Sequence, residues 1–229
     1  AAHRDLHSFP TRRSSDLGLL LPAVQGARAA ARRTQSMNNI KQILLAILTY
    51  ENDKGRYPPA YTTGKDGKPL LSWRVLLLPY IDQDALYKQF HLDEPWDSPH
   101  NKQLIARMPA IYRSPQSAVT GGKTTYLTVR GEDTVFPGSA EVTMADIRDG
   151  TSNTAVLIEA NDQSAVPWTA PDDFRPDPKD PLKGLKSPGR KDFPAGFADG
   201  HVQVISDTIA PQVLKALFTR SGGEVVELP

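Results

Sequence analysis

Residues 18–54 read GLLLPAVQGARAAARRTQSMNNIKQILLAILTYENDK, and the reading of this stretch decides the architecture. Met37, Ile40, Leu44 and Ile47 recur at helical spacing, with Ile43 and Leu48 on the flank, which is the pattern of a helix with one apolar stripe. Ala23, Ala27, Ala30 and Ala31 make the preceding turns strong helix formers. Arg28, Arg32, Arg33 and Lys41 load the polar face, and no acid comes before Glu51. The spacing therefore predicts one helix over 18–54. Its residues Ile40, Ile43, Leu44 and Ile47 should pack against a C-terminal head, with Arg32 and Lys41 exposed. Pro22 would kink the helix if it began further upstream. Gly55, Pro58 and Pro59 end it. The basic residues form either a solvated face or a contact with acidic lipid or a neighbouring subunit.

Outward from the helix, composition bounds the rest. The chain of 229 residues is 39% apolar, enough for a core, and 7% aromatic, so that core is mostly aliphatic. A net charge of +1 gives no argument for nucleic acid as a partner. Twenty prolines and 16 glycines imply many turns and a loop-rich head. The absence of cysteine excludes a disulfide framework and a cysteine-based zinc site. No run of about 20 apolar residues exists to form a complete membrane span. Leu17 to Val24, interrupted by Gly18 and Pro22, reads as the end of a longer apolar segment.

Residues 1–17 differ in character from the helical stretch. His3 to Leu17, HRDLHSFPTRRSSDL, has neither helical nor strand periodicity. It resembles the translation of a sequencing-adaptor read, of the kind that recurs at the ends of fragmentary gene models. We read it as non-native and exclude His3 and His7 from site reasoning. The native start is expected to continue the apolar run of Leu19 to Val24.

Residues 55–229 read as a β-rich head with short helices, giving an α+β fold class. Ser72 to Phe90 is predicted as helix interrupted at Pro79. Ser98 with Pro99 predicts a capped short helix burying Leu104, Ile105 and Met108. The period then becomes alternating. Thr124 to Val129 and Thr154 to Glu159 are strand candidates, and Asp199-Gly200 is a hairpin turn signal between Ala198 and Ile205. Pro211 to Thr219 reads as a helix and Glu224 to Leu228 as a last strand. Between the strand ending at Glu159 and that hairpin, 167–194 is dense in proline, aspartate and lysine and reads as a long surface excursion.

Few groupings suggest chemistry. His91, Asp93, Glu94, Asp97 and His100 combine imidazoles and carboxylates that could take a divalent metal. The alternative is a capped helix start with Trp96 anchoring the loop and the rest in solvent. Asp149, Thr151, Ser152 and Asn153 could present oxygens to calcium or a polar ligand, or could satisfy their own turn. Asp199 and His201 suggest a proton-sharing pair, which the alternation of adjacent side chains on a strand is read as disfavouring, and turn chemistry accounts for Asp199 and Gly200. There is no Gly-x-Ser-x-Gly elbow and no phosphate-binding glycine loop. No cofactor is implied, and the chain is expected not to be an enzyme.

Several long words of the sequence resemble a large bacterial prepilin-like family, whose members carry a prepilin cleavage and methylation motif ahead of a domain of unknown function. That domain is also catalogued as resembling an extracellular solute-binding protein. The matching words are GLLLPAVQGARAAARRTQSMNNIKQILLAI, LLSWRVLLLPYIDQDALYKQFHLDEPWDSPHNKQLI, IRDGTSNTAVLIEA, VPWTAPDDF, GFADGHVQVIS and LKALFTRSGGEVV. The chain departs from the family in three ways: the leader and its adjoining glutamate are missing, Gly189 stands where a histidine is frequent, and Ser36 and Ser114 stand where many members have cysteine. The resemblance implies a pilin-like layout, with a helix tip in the inner membrane before assembly, a head on an antiparallel sheet, and self-assembly or assembly with other pilin-like subunits. It places the head in the periplasm or on the cell surface. It also implies that Ser36 and Ser114 lie close together, as a paired disulfide would require.

Two functions from different classes are compatible with these features: a structural, pilin-like subunit of the cell envelope assembling through its helix, and an envelope-anchored binding module for a solute or polysaccharide. An aromatic-lined concave pocket in the head would favour binding. A smooth head with a projecting helix would favour assembly.

Overall fold

The computed structural model describes residues 15–223 of the chain. Helix α1 spans Ser15–Lys54 and passes through Pro22 without interruption. Its two ends live in different surroundings. From Pro22 to Gln35 every residue except half-buried Arg33 is exposed, whereas Ser36, Ile40, Ile43, Leu44, Ala46, Ile47 and Tyr50 are buried. Arg32 and Lys41 are exposed. The change falls where the sequence turns from alanine and arginine to a branched aliphatic stripe, because only the latter has apolar surface to withdraw from water. Among the described residues no helix is long and apolar enough to cross a membrane.

A two-stranded hairpin opens the head, β1 (Tyr61–Thr63) paired antiparallel with β2 (Pro69–Ser72). Its turn needs Gly67, whose φ is +76, a left-handed value that favours glycine. Ser72 ends β2 and caps α2 (Trp73–Leu76), its hydroxyl accepting the Arg74 N–H. The predicted helix from Ser72 to Phe90 is instead three short turns: α2, a 3-10 turn at Leu78–Ile81 and α3 (Asp84–Tyr87). Pro79 sits at the start of the middle turn, where its missing N–H does no harm. Asp82, with φ 57, then breaks the path. Helix α4 (Asn101–Leu104) begins two residues later than the Ser98-Pro99 signal, with Ser98 Oγ accepting the Asn101 N–H.

The predicted strand 124–129 divides in two because its halves take different partners. Strand β3 (Lys123–Thr124) pairs with β6 (Val166–Pro167), and β4 (Tyr126–Thr128) with β5 (Ala155–Glu159). The principal sheet has four antiparallel strands in the order β4-β5-β7-β8, where β7 is Asp192–Phe197 and β8 is Val202–Ser206. Gly200, at φ +92, makes the β7–β8 turn with Asp199. Helix α5 spans Pro211–Phe218. The strand predicted at Glu224 to Leu228 lies outside the described residues.

Both faces of this sheet are covered, which is why β5 reads as a nearly continuous apolar run. On one face lie α1 and the short turns of the early head, with Ile40, Leu44, Trp73, Tyr112 and Trp168 in one core. On the other lie α5 and the long loop, with Phe174, Leu182, Leu185, Leu214 and Phe218 in a second core against Phe193 and Phe197. The 167–194 stretch is therefore not a surface excursion. It is largely irregular, but Trp168, Thr169, Ala170, Phe174, Leu182 and Leu185 are buried, and its end enters β7. Its apolar residues are too few to make a core alone, yet widely enough spaced to complete one that the sheet provides.

Candidate functional site

Glu159 ends the buried strand β5 and is itself fully buried. A carboxylate there must be compensated by hydrogen bonds. Ser36, at the first buried turn of α1, donates to Oε2 at 2.5 Å, and Ser114 donates to Oε1 at 2.6 Å. Gln116 Nε2 adds a bond to Oε2 at 2.9 Å and Arg190 Nη1 one to Oε1 at 3.2 Å. Four donors match the acceptor capacity of an ionised carboxylate. Since the Ser36 proton goes to Glu159, Tyr126 donates its own to Ser36 across 2.9 Å. Burial, then the Glu159 charge, pushes the Tyr126 phenol up to about 12. Helix, sheet and two loops thus meet at one carboxylate.

A groove of about 800 Å3 lies against this junction, between α1 and the loops at 161–163 and 186–190. Arg32 and Ala29 form its helix side, and Lys186 and Arg190 stand on the opposite loop. Arg190 is held at both ends, by Glu159 and by Ser187 Oγ at 2.6 Å. No aromatic side chain lines the groove.

A second buried charge stabilises the head. Arg74 and Asp173 pair at 2.6 Å with both side chains fully buried. Asp173 also accepts the Trp73 indole N–H at 3.1 Å and the Thr128 N–H at 2.9 Å. Arg74 further donates to the Tyr126 carbonyl and to Ser72 Oγ. Burial pushes the Asp173 carboxyl up, and the Arg74 charge with these donors works against it. The pair locks the loop after β6 onto β4 and α2.

The polar clusters that suggested chemistry in the sequence are used within the fold. His91 and His100 stack at 3.6 Å between ring centroids, His91 Nδ1 bonds Glu94 at 2.9 Å, and His100 Nε2 bonds the Gln89 carbonyl at 2.7 Å. Asp93 and Asp97 are exposed. The candidate metal set His91, Asp93 and Asp97 is not brought together. Among the described residues no group of three or more histidines and carboxylates is arranged to hold a metal ion. Asn101 organises this loop instead, donating to the carbonyls of His91, Glu94 and Pro95.

Residues of the 149–153 turn also make contacts within the fold. Asp149 accepts the N–H groups of Gly222 and Gly223 at 2.6 and 2.8 Å, which pins the chain after α5. Asn153 donates to the Asp149 carbonyl, the Thr151 carbonyl accepts the Asp199 N–H, and exposed Ser152 sits in the same turn. Asp199 and His201 do pair, contrary to the strand argument. Asp199 Oδ1 accepts the His201 N–H at 3.0 Å and lies 2.6 Å from its Nδ1. The two residues are two apart, and positions i and i+2 lie on one side even of a regular strand, so the alternation that separates adjacent residues does not separate them. The His201 ring stacks on Phe197 at 4.3 Å.

Sequence reasoning missed Glu159, Arg190, Arg74 and Asp173. A signal existed for two of them: Glu159 closes the apolar run AVLI, and Arg74 interrupts LLSW–VLLL, so each is a charge carried into a core. Nothing local marks Asp173 or Arg190.

Residues 25–191 match the model of a family described as a protein of unknown function (DUF1559). No curated protein and no solved structure matches the chain.

Proposed function

The chain belongs to the DUF1559 family, which also carries the label SBP_bac_10, and we propose that it is a non-enzymatic, pilin-like structural subunit of the bacterial cell envelope that assembles through its N-terminal helix. The observation that carries this reading is the division of α1. Its C-terminal half buries an aliphatic stripe in the core, while Pro22 to Gln35 is exposed apart from half-buried Arg33, with Ala29 and Arg32 facing the head only across the groove. A solvated helix with this much alanine and no packing partner is marginal alone. Burial against neighbouring copies would supply the missing stabilisation. Small side chains at Ala23, Ala27, Ala30 and Ala31 allow close helix approach, and the arginines between them favour an anionic surface nearby.

The absence of cysteine makes the test clean. Single variants A27C and A31C in the full gene product, expressed in a bacterial envelope and treated with a bismaleimide, should give covalent multimers. A control, K88C, lies on an exposed part of the head and should stay monomeric. Monomer from all three variants, or recovery of the product in the cytosol, would overturn the reading.

A further inference from the structure

We propose that the groove between α1 and the 186–190 loop is a binding site for a phosphate-bearing ligand, held by Arg32 and Lys186. Its volume, about 800 Å3, lies in the range of small-molecule sites, roughly 300–1,000 Å3. No aromatic or large aliphatic side chain faces it, and each wall carries a cation.

The charges on its walls are unequally committed. Asp162 already accepts the Ser117 hydroxyl at 2.6 Å and the Ala118 N–H at 3.1 Å. The acceptor positions of Glu159 are taken by four donors. Arg32 and Lys186, in contrast, form no ion pair among the described residues, although the adjacent Arg33 pairs with Asp192 at 2.9 Å. The groove therefore carries two cations outside any ion pair against one carboxylate, Asp162, whose oxygens already hold the 117–118 segment, which leaves an excess of positive charge. Arg190 on the same wall is neutralised by Glu159.

The loop wall is also held in place before any ligand arrives. Asn161 donates its backbone N–H to the Gly184 carbonyl at 2.8 Å and its side-chain amide to the Lys186 carbonyl at 2.9 Å. Arg190 N–H closes the loop on the Ser187 carbonyl at 3.1 Å. Such preorganisation removes part of the ordering cost of binding. A guanidinium from the helix and an ammonium from the loop suit phosphate, which accepts both the planar fork and the point charge.

Phosphate could come from a soluble ester or from a lipid headgroup, and the experiment separates the two. The full chain is titrated with glycerol 3-phosphate by calorimetry and floated with phosphatidylglycerol vesicles, against phosphatidylcholine vesicles and sodium glucuronate as controls. The proposal expects binding to at least one phosphate probe, weakened by added salt. In R32Q/K186Q the affinity should fall at least about tenfold, the factor carried by one lost charge-assisted hydrogen bond. Both positions are exposed, so the variant should keep the wild-type circular dichroism. Binding to the soluble ester assigns a free ligand, and binding to the anionic vesicles alone assigns a headgroup. No binding to either, unchanged affinity in the variant, or glucuronate bound as tightly as the phosphate ester would each overturn the proposal. It is independent of helix-mediated assembly, since a chain that failed to cross-link could still bind phosphate.

Discussion

Ser36 and Ser114 donate to the two oxygens of one buried carboxylate, at 2.5 Å to Glu159 Oε2 and 2.6 Å to Oε1. One serine belongs to α1 and the other to the loop before β3, so the carboxylate of β5 joins the helix to the head. The resemblance implied that these residues lie close, and their hydroxyls do share one carboxylate as acceptor.

Removing the acceptor should hurt more than removing either donor. Glu159→Ala leaves Ser36, Ser114, Gln116 and Arg190 facing an empty site, and breaking a buried ion pair by removing one partner costs about 3–5 kcal/mol. Ser36→Ala should cost about 1.5–3 kcal/mol, the range for a hydrogen bond to a charged group. Urea unfolding midpoints check this. Equal losses in the two variants would argue that Glu159 is not the hub.

The double variant S36C/S114C should oxidise to an intramolecular disulfide, displacing the Glu159 carboxylate. The bridge would close a loop of roughly 80 residues, for which chain entropy gives ~4–5 kcal/mol before strain. Thiol titration and the change of Tm on adding reductant measure it. Two persistently free thiols would show that the backbones stand too far apart for disulfide geometry.

Neighbours on α1 should behave oppositely. Leu44 is 1% exposed and Leu45 is 65% exposed, so Leu44→Ala should cost about 2–5 kcal/mol and Leu45→Ala less than about 0.5 kcal/mol. Across the interface, a Cβ at Gly196 would come within 2.6 Å of Leu44 Cδ1 and 2.9 Å of Ile40 Cγ2. Gly196→Ala should therefore cost about 1–3 kcal/mol by overpacking. Thermal unfolding of the three variants tests whether α1 and β7 share one core.

Tyr80 donates to Asp53 Oδ2 at 2.7 Å and, with Lys54, holds that carboxyl below its ordinary value of 3.8. A depressed folded pKa contributes stability that is fully present above 3.8 and lost as pH falls through the lower folded value. Tyr80→Phe should raise the Asp53 pKa toward 3.8 and shrink that acid-side contribution. Carboxyl carbon shifts followed by NMR from pH 6 downward would measure it, and an unmoved midpoint would remove Tyr80 as the cause.

The buried pair Arg74–Asp173 should be intolerant of single changes. Arg74→Leu or Asp173→Asn leaves one buried charge without its partner, at about 3–5 kcal/mol each. The double variant should lose less than the sum, and strict additivity in a double-mutant cycle would show no coupling.

What could be read along the chain was whatever a local period carries. The stripe Ile40, Ile43, Leu44 and Ile47 announces the buried face of α1, and the run AVLI announces a strand covered on both sides. Asp199-Gly200 announces a turn through its own backbone chemistry. Where local signals competed, the reading failed: Pro79 and Asp82 cut an apparent helix into turns. Asp199 and His201 are two positions apart and meet on one side, as i and i+2 do, so the opposition of adjacent residues did not apply to them.

By itself the sequence determined the α+β class, the helix and its division into an arginine-rich half and an aliphatic half, since periodicity and side-chain size act within a few residues of one another. Only the tertiary structure decided where the charges went. The donors to Glu159 come from positions 36, 114, 116 and 190, and the partners Arg74 and Asp173 from α2 and a distant loop. A buried charge takes whatever donors the packed sheet brings within about 3 Å, and no spacing along the chain encodes that encounter.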